Sequence, residues 1–576
     1  MKLVRDTQKR AERGYSLLMV LFMTGISIAI YAGLASWTSS SSVVNDRNNT
    51  YNSSVEAAEA ASETVLSYMT RDFLNQTYDP GNVAYYRDLI PTNSWAAAYQ
   101  FTDGAGATNR SYVTSSGLTV TNLNSQFAGL YGMVYNCSVR SEARPLGTPY
   151  NMNAAVQQDV QLAAIPVFQF AIFYAMDLEI NPGPVMKITG KVHSNANLYT
   201  APQTGLEYVD AVTAVGEIYL HRAPGDPTGG PRVDPVFDAE HIPHVSSLTL
   251  PVSTNNSPAA VHAILEIPPF GENPLSLMGS QRLYNKADLV VFTTSSNVIV
   301  RAGNWDGFAA VLPDVPATTN MPAHYSFITT NLSFTDQREG KATFTTDLNV
   351  GALNAWMTNA GAALNALAQF QLSHRLNSIY LTDLRVGAGK FAVVRVSNGQ
   401  QLPPDGLTVA SPQPLYVWGH FNAPNTTPGY TNTISTKPAA LMGDAISVLS
   451  GSWSDARSTS SLSQRATVNT TVNAAFLSGI VESTTANGGH YSGGVENFPR
   501  FLEDWSGKTF TYNGSMVVMF PSQYAISYWI GPGTYYNAPN RQWAFDRNFL
   551  DYRKLPPCTP LVRKLVRGNW NVVAAN

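Results

Sequence analysis

Between Tyr15 and Trp37 the chain carries no charge. No other feature restricts the fold as much. A run of this length rises about 35 Å as a helix, enough to cross a hydrocarbon layer of about 30 Å. Lys2, Arg5, Lys9, Arg10 and Arg13 precede it, diluted by Asp6 and Glu12. That flank predicts a cytoplasmic N-terminus and export of the residues after Trp37. A secretory signal would have a shorter apolar core. Three readings stay open: a signal cut after Ala35, an ordinary membrane anchor, or a segment that is first an anchor and later leaves the membrane.

The helical pattern does not stop at Trp37. Val44, Tyr51, Val55, Ala58, Ser62, Val65 and Met69 recur at helical spacing, with one face apolar or small and the other polar. Glu63 lies off this stripe and is expected on open surface. The run "VEAAEAASETVLSYM" consists largely of good helix formers. Only Gly25 and Gly33 interrupt the pattern before Asn75, and membrane helices tolerate glycine. Asp79-Pro80-Gly81 ends the region. The expectation is one helix of about 60 residues and about 90 Å, greasy all round in its first half and amphipathic in its second.

These segments resemble a known group. "ERG" before "YSLLMVLF" is similar to the processing site of type IV prepilins, with Gly14 before the cut and Tyr15 after it. "DRNNTYNSSVEAAEAASETVLSYM" resembles the corresponding segment of PilX-like minor pilins. The later runs "VHSN", "DQREGK" and "SGGVENFPRFLEDW", and the "PPCTP" near the end, resemble large PilX-type proteins of environmental bacteria. The resemblance implies a prepilin peptidase as processing partner, other pilin or pseudopilin subunits as assembly partners, and residence in the inner membrane before a periplasmic or extracellular filament. It also marks two departures. Major pilins carry Glu at the fifth mature position, where this chain has Met19, which implies a minor, tip-proximal role. Cys558 stands where the group usually has Gly, so a Cys137–Cys558 bridge would be peculiar to this chain; one bridge and two free thiols are both open.

Over the whole chain charged residues are only 13%, while Gly (42) and Pro (35) are abundant. This predicts a loop-rich, β-rich exported surface. Six stretches align on a glycine: Gly190, Gly216, Gly419, Gly443, Gly479 and Gly514. Two residues before each stand Ile188, Ala214, Val417, Leu441, Leu477 and Tyr512; two residues after stand Val192, Ile218, Phe421, Ala445, Val481 and Met516. Short strands with inward apolar residues at a 20–50-residue repeat predict a stacked parallel coil, a β-helix. A β-sandwich with the same glycines on antiparallel strands is the competing arrangement. The expected class is therefore α+β, mainly β. A leader at 1–14 and a transmembrane and amphipathic helix at 15–75 precede a small pilin-like or connecting subdomain at 76–160. A β-helix-like body at 161–576 carries a large insertion at about 225–410. "NVGALNAWMTNAGAALNALAQFQL" within the insertion is expected to be helical.

The chemistry is sparse. No P-loop, GxSxG or HExxH motif occurs. His241 and His244 lie near Asp234, Asp238 and Glu240, but Pro243 between them disfavours a helix presenting both, so a solvated loop is expected and no metal or cofactor. Glu496, Arg500, Glu503, Asp504 and Trp505 combine carboxylates with aromatics, as polysaccharide-cleaving sites do. With Arg500 among them, a structural ion-pair network is the expectation, and no residue is assigned a catalytic role. The net charge of −3 gives no general attraction to nucleic acid, and Lys554, Arg563, Lys564 and Arg567 make only a modest basic end. The function expected is a minor pilin-like structural subunit presenting a β-rich module for assembly or adhesion. The alternative is a tethered or secreted protein that binds or cleaves a surface glycan.

Overall fold

The computed structural model describes residues 12–92, 94–150, 152–302, 315–316, 325–358, 374–387, 389–424 and 432–575. Most of the 1–14 leader lies outside the described residues. The chain has one long N-terminal helix and a mostly β body rich in parallel sheets. It divides into two units: Met1–Gly117, Tyr135–Leu162 and Arg567–Asn576 form the first, and Leu118–Val134 with Ala163–Val566 the second.

In the first unit, helix α1 (Glu12–Leu74) runs unbroken through Gly25 and Gly33. It ends where Gln76 turns to a φ of 61°, and the Asp79 side chain accepts the Gly81 N–H at 2.8 Å. Antiparallel strands meet its C-terminal half. Tyr99–Thr102 pairs with Glu142–Pro145, and Tyr112–Ser115 with Cys137–Arg140. Ala57, Ala58 and Ala61 pack with Phe101, Ala143 and Val156 from these strands and the next. Small helix residues allow this close approach, so the second half of α1 is helical because its face is buried, not only because of its propensities.

In the second unit, three short strands succeed one another and then repeat. Leu178–Ile180, Met186–Ile188 and Val192–Ser194 are followed by Leu198–Thr200, Leu206–Tyr208 and Val212–Ala214, then by Ile218–Tyr219, Val236–Phe237 and His241–Ile242. Every partnership is parallel: Leu178 with Leu198, Ile188 with Tyr208, Val192 with Val212. Side chains repeat the offset of 20 residues. Asp210 accepts the Gly190 N–H at 2.7 Å, and Asn197 bridges Asp177 and the Glu217 N–H at one corner.

Later strands continue the ladder. Thr470–Ile480, Ala439–Gly443, Leu407–Ala410, Ser378–Asp383 and Leu289–Thr293 lie side by side in parallel. Lys341–Asn349, Phe391–Ser397, Leu415–Trp418, Ile446–Leu449 and Arg500–Phe501 do the same in a further sheet. The early strands join the first of these series at Thr509–Pro521, where Met516 partners Ile172.

This arrangement corrects three expectations. Gly190 and Gly216 are not equivalent: Gly190 neighbours Asp210, while the Gly216 N–H bonds to the Ala196 carbonyl. Leu441 partners Phe476, not Leu477, so Leu477 faces a second apolar core with Met442 and Val517, while Ile188, Val417, Leu441 and Tyr512 share the first. A shift of one residue moves a strand side chain to the opposite face. Residues 225–410 are not an insertion leaning on the coil, because strands within that range belong to both later sheets. In the expected helix, Val350–Thr358 is helical and 359–373 lie outside the described residues.

Candidate functional site

Helix α1 carries the strongest functional signal in the sequence. From Tyr15 to Asn49 almost every residue is exposed, including Leu17, Met19, Phe22, Ile28, Tyr31 and Trp37. The Thr24 hydroxyl donates to the Val20 carbonyl at 2.6 Å, so this polar group is satisfied within the helix. The segment is long and apolar enough to cross a membrane. The expected stripe divides in two. Ala58, Ser62, Val65 and Met69 are buried on the helix's own sheet, Val55 is half-buried, and Val44 and Tyr51 are exposed. Glu63 is not free surface: both its oxygens accept from Arg567, at 2.5 and 2.8 Å. Sequence spacing could not show that a residue so near the C-terminus returns to this helix.

Cys137 and Cys558 are both free. The Cys137 sulfur lies 3.4 Å from the Tyr78 hydroxyl, and burial raises its thiol above the ordinary range. Cys558 donates to the Lys286 carbonyl, burial pushes it up to about 11, and its φ of 60° explains why a glycine suits this position.

The motif runs prove to be internal fastenings. In "DQREGK", Asp336 accepts the N–H groups of Arg338 and Glu339 at 2.7 and 2.9 Å and the Tyr416 hydroxyl. Glu339 in turn holds Arg500 of "ENFPRFLEDW" at 2.9 Å, and Arg500 donates to the Ala525 carbonyl. Glu503 accepts the Ser450 N–H and hydroxyl at 2.6 and 2.8 Å, and burial raises it to about 7. Asp504 binds Ser506 and Asn537, while Trp505 is core. Glu496 accepts the Tyr491 hydroxyl at 3.0 Å; burial again raises it to about 7. In "VHSN", His193 stacks on Phe173 and bonds Thr213 and Asn195; burial lowers it to about 4, so it stays neutral.

The histidine pair does not converge. His241 stacks on Phe237 and His244 sits 3.2 Å from Glu217. Among the described residues, no three His, Cys, Asp or Glu side chains gather as a metal site. Two polar centres escaped sequence reasoning. Asp444 accepts three successive N–H groups, Gln523 to Ala525, and contacts His262. Arg395 is buried between Asp347 and Asp455. Each unites residues too distant in sequence to form a motif.

No family model and no curated protein matches the chain. Among solved structures, the competence-associated pilin ComZ from Thermus thermophilus aligns over 91% of this chain and 97% of its own, at 11% identity and a TM-score of 0.28. So loose a superposition carries no functional argument.

Proposed function

We propose that the chain is a minor, PilX-like subunit of a type IV pilus or pseudopilus. Its support is the contrast along α1: Tyr15–Trp37 is an exposed, uncharged and largely apolar stretch of helix, whereas one face of Ala57–Phe73 is buried on the unit's own strands. A helix divided in this way suits a subunit whose first half moves from lipid into a bundle of neighbouring helices. Gly25, Ala29 and Gly33 recur every four residues, and the space a side chain would fill at both glycines is empty. Small residues so spaced let helices approach closely in lipid. On this reading a prepilin peptidase cuts between Gly14 and Tyr15, after the chain has spanned the inner membrane with its N-terminus in the cytoplasm. Met19 in place of the usual Glu supports a minor subunit rather than the repeating body of the filament. The parallel ladders are read as a β-helix displayed outward, with a structural and adhesive role and neither a catalytic centre nor a cofactor.

The test is the mature N-terminus of the chain in sheared filament fractions. A chain beginning at Tyr15 that co-purifies with other pilins is the expected result. An intact Met1, or a start after Ala35, would overturn the filament reading.

A further inference from the structure

The strand Thr509–Pro521 has two partners on one side. Its first half pairs with Asn540–Phe545, and its second half with Ile172–Tyr174. Where the ladder forks, the strands Met186–Ile188 and Asn540–Phe545 leave a cavity of about 350 Å³. That volume suits a small ligand. Pro184 and Val185 supply an apolar wall, and Lys187, Glu496, Arg541 and Trp543 supply polar groups. Arg541 and Trp543 stand two apart on one strand and so share a face. The Arg541 Nε–H and the Trp543 indole N–H are both buried with no hydrogen-bond partner. Elsewhere each is held in place: Arg541 donates to Asn497 at 3.1 Å and lies 5.6 Å from the Trp543 ring, which also meets Phe510 and Tyr512 edge to face. Buried donors left open on a rigid wall call for an acceptor from outside.

We propose that this cleft binds the pyranose ring of a glycan. A sugar hydroxyl both accepts and donates, so one ring can satisfy Arg541 and Trp543 while also meeting Glu496, which lines the same cavity. Its C–H face suits Pro184 and Val185. A simple anion would satisfy the two donors but would leave the apolar wall of Pro184 and Val185 unmatched. A proline-rich peptide would suit the apolar wall but would leave the polar groups unmatched. The cleft lies wholly within the second unit, so it would serve this purpose whether or not α1 enters a filament.

The experiment is saturation-transfer NMR on the full chain in a sugar-free zwitterionic detergent. Glucose, galactose, N-acetylglucosamine and glucuronate are offered separately at millimolar concentration, with a polyproline peptide as the rival probe. Transfer to the ring protons of at least one sugar is expected. Trp543→Phe and Arg541→Lys, which keep bulk and charge, should each weaken it about tenfold or more. Trp570→Phe, on another strand, should leave it unchanged. In the wild-type chain one indole N–H resonance, the one missing from the Trp543→Phe spectrum, should shift on adding that sugar; this readout holds even where a variant folds poorly. Silence from all four sugars, binding by the peptide alone, or undiminished binding by both cleft variants would overturn the proposal.

Discussion

Two glycines of the same repeated stretch should respond oppositely to the same small change. Gly190 has a φ of 91°, and a Cβ there would lie 2.7 Å from Cγ of Phe545 and 2.9 Å from Cβ of Ala171. Its N–H is fixed by the Asp210 carboxylate at 2.7 Å, so the backbone cannot easily rotate away. An alanine incurs about 1–2 kcal/mol of left-handed strain and about 1–3 kcal/mol of overpacking. Gly190→Ala should therefore destabilise the second unit by about 3 kcal/mol. Gly205 has no such φ, and a Cβ there meets only the Val185 methyls at 3.7 and 3.9 Å, ordinary contact. Gly205→Ala should stabilise by about 0.5 kcal/mol through a stiffer unfolded chain. In calorimetry of the full chain the first should lower the second unit's melting temperature by about 3–4 °C and the second raise it slightly. If Gly190→Ala melts at or above the wild type, or the two variants fall together, the close packing of Phe545 on this turn is not what holds it.

Val65 is fully buried on the packed face of α1, so Val65→Asp should cost about 3 kcal/mol or more in denaturant unfolding, against about 1 kcal/mol or less for Glu63→Gln at the half-exposed Arg567 pair. Glu503 is raised from 4.5 to about 7, so its share of stability is intact below its ordinary value and lost as pH rises to 7; Glu503→Gln should flatten the fall of the melting temperature over that window, and an unchanged profile would count against it. His193 is lowered to about 4, so its share is intact above its ordinary value and lost as pH falls towards 4; His193→Gln should flatten the acid limb instead. Unfolded without reductant, the chain should titrate two thiols, and Cys558→Gly should fold at least as stably as the wild type, whereas Cys558→Val should lose about 1 kcal/mol or more.

The long helix was legible because its signal is local: an uncharged run, then small and apolar residues at helical steps from Ala58 to Met69. Where that stripe would stop being buried was not legible, since Val44 and Tyr51 carry the same residue types as Val55 and differ only in having no strand opposite. That the strands carrying Gly443 and Gly479 run parallel and adjacent followed from apolar alternation around glycine, but their register did not, since Gly443 partners Ser478. The pairing of Gly190 with Asp210 did not, because strands of three residues leave too little alternation to fix a register; polar corner residues such as Asp177, Asn197 and Glu217 carry that period instead. The carboxylates of "ENFPRFLEDW" were recognisable as a cluster, but the partners Glu339 and Ser450 lie at separations that only the stacked strands close. Arg541 and Trp543 gave no signal, because what distinguishes them is a pair of donors left open.

The meeting of Phe170–Tyr174 with Ser515–Val518 sets the order in which the body can be completed. The Ser515 hydroxyl donates to the Phe170 carbonyl across 345 residues. A stack that grows from one end always offers its newest strand to the next one translated. Here the strands from Ile172 to Ile242 are made first, and the edge at Ile172 stays unpaired until nearly the whole chain has emerged. Closure at such separation is slow, and an open strand edge invites pairing with another copy. The chain thus passes through a stage in which it is half built and adhesive to its own kind, and a truncation before Thr509 would leave it there.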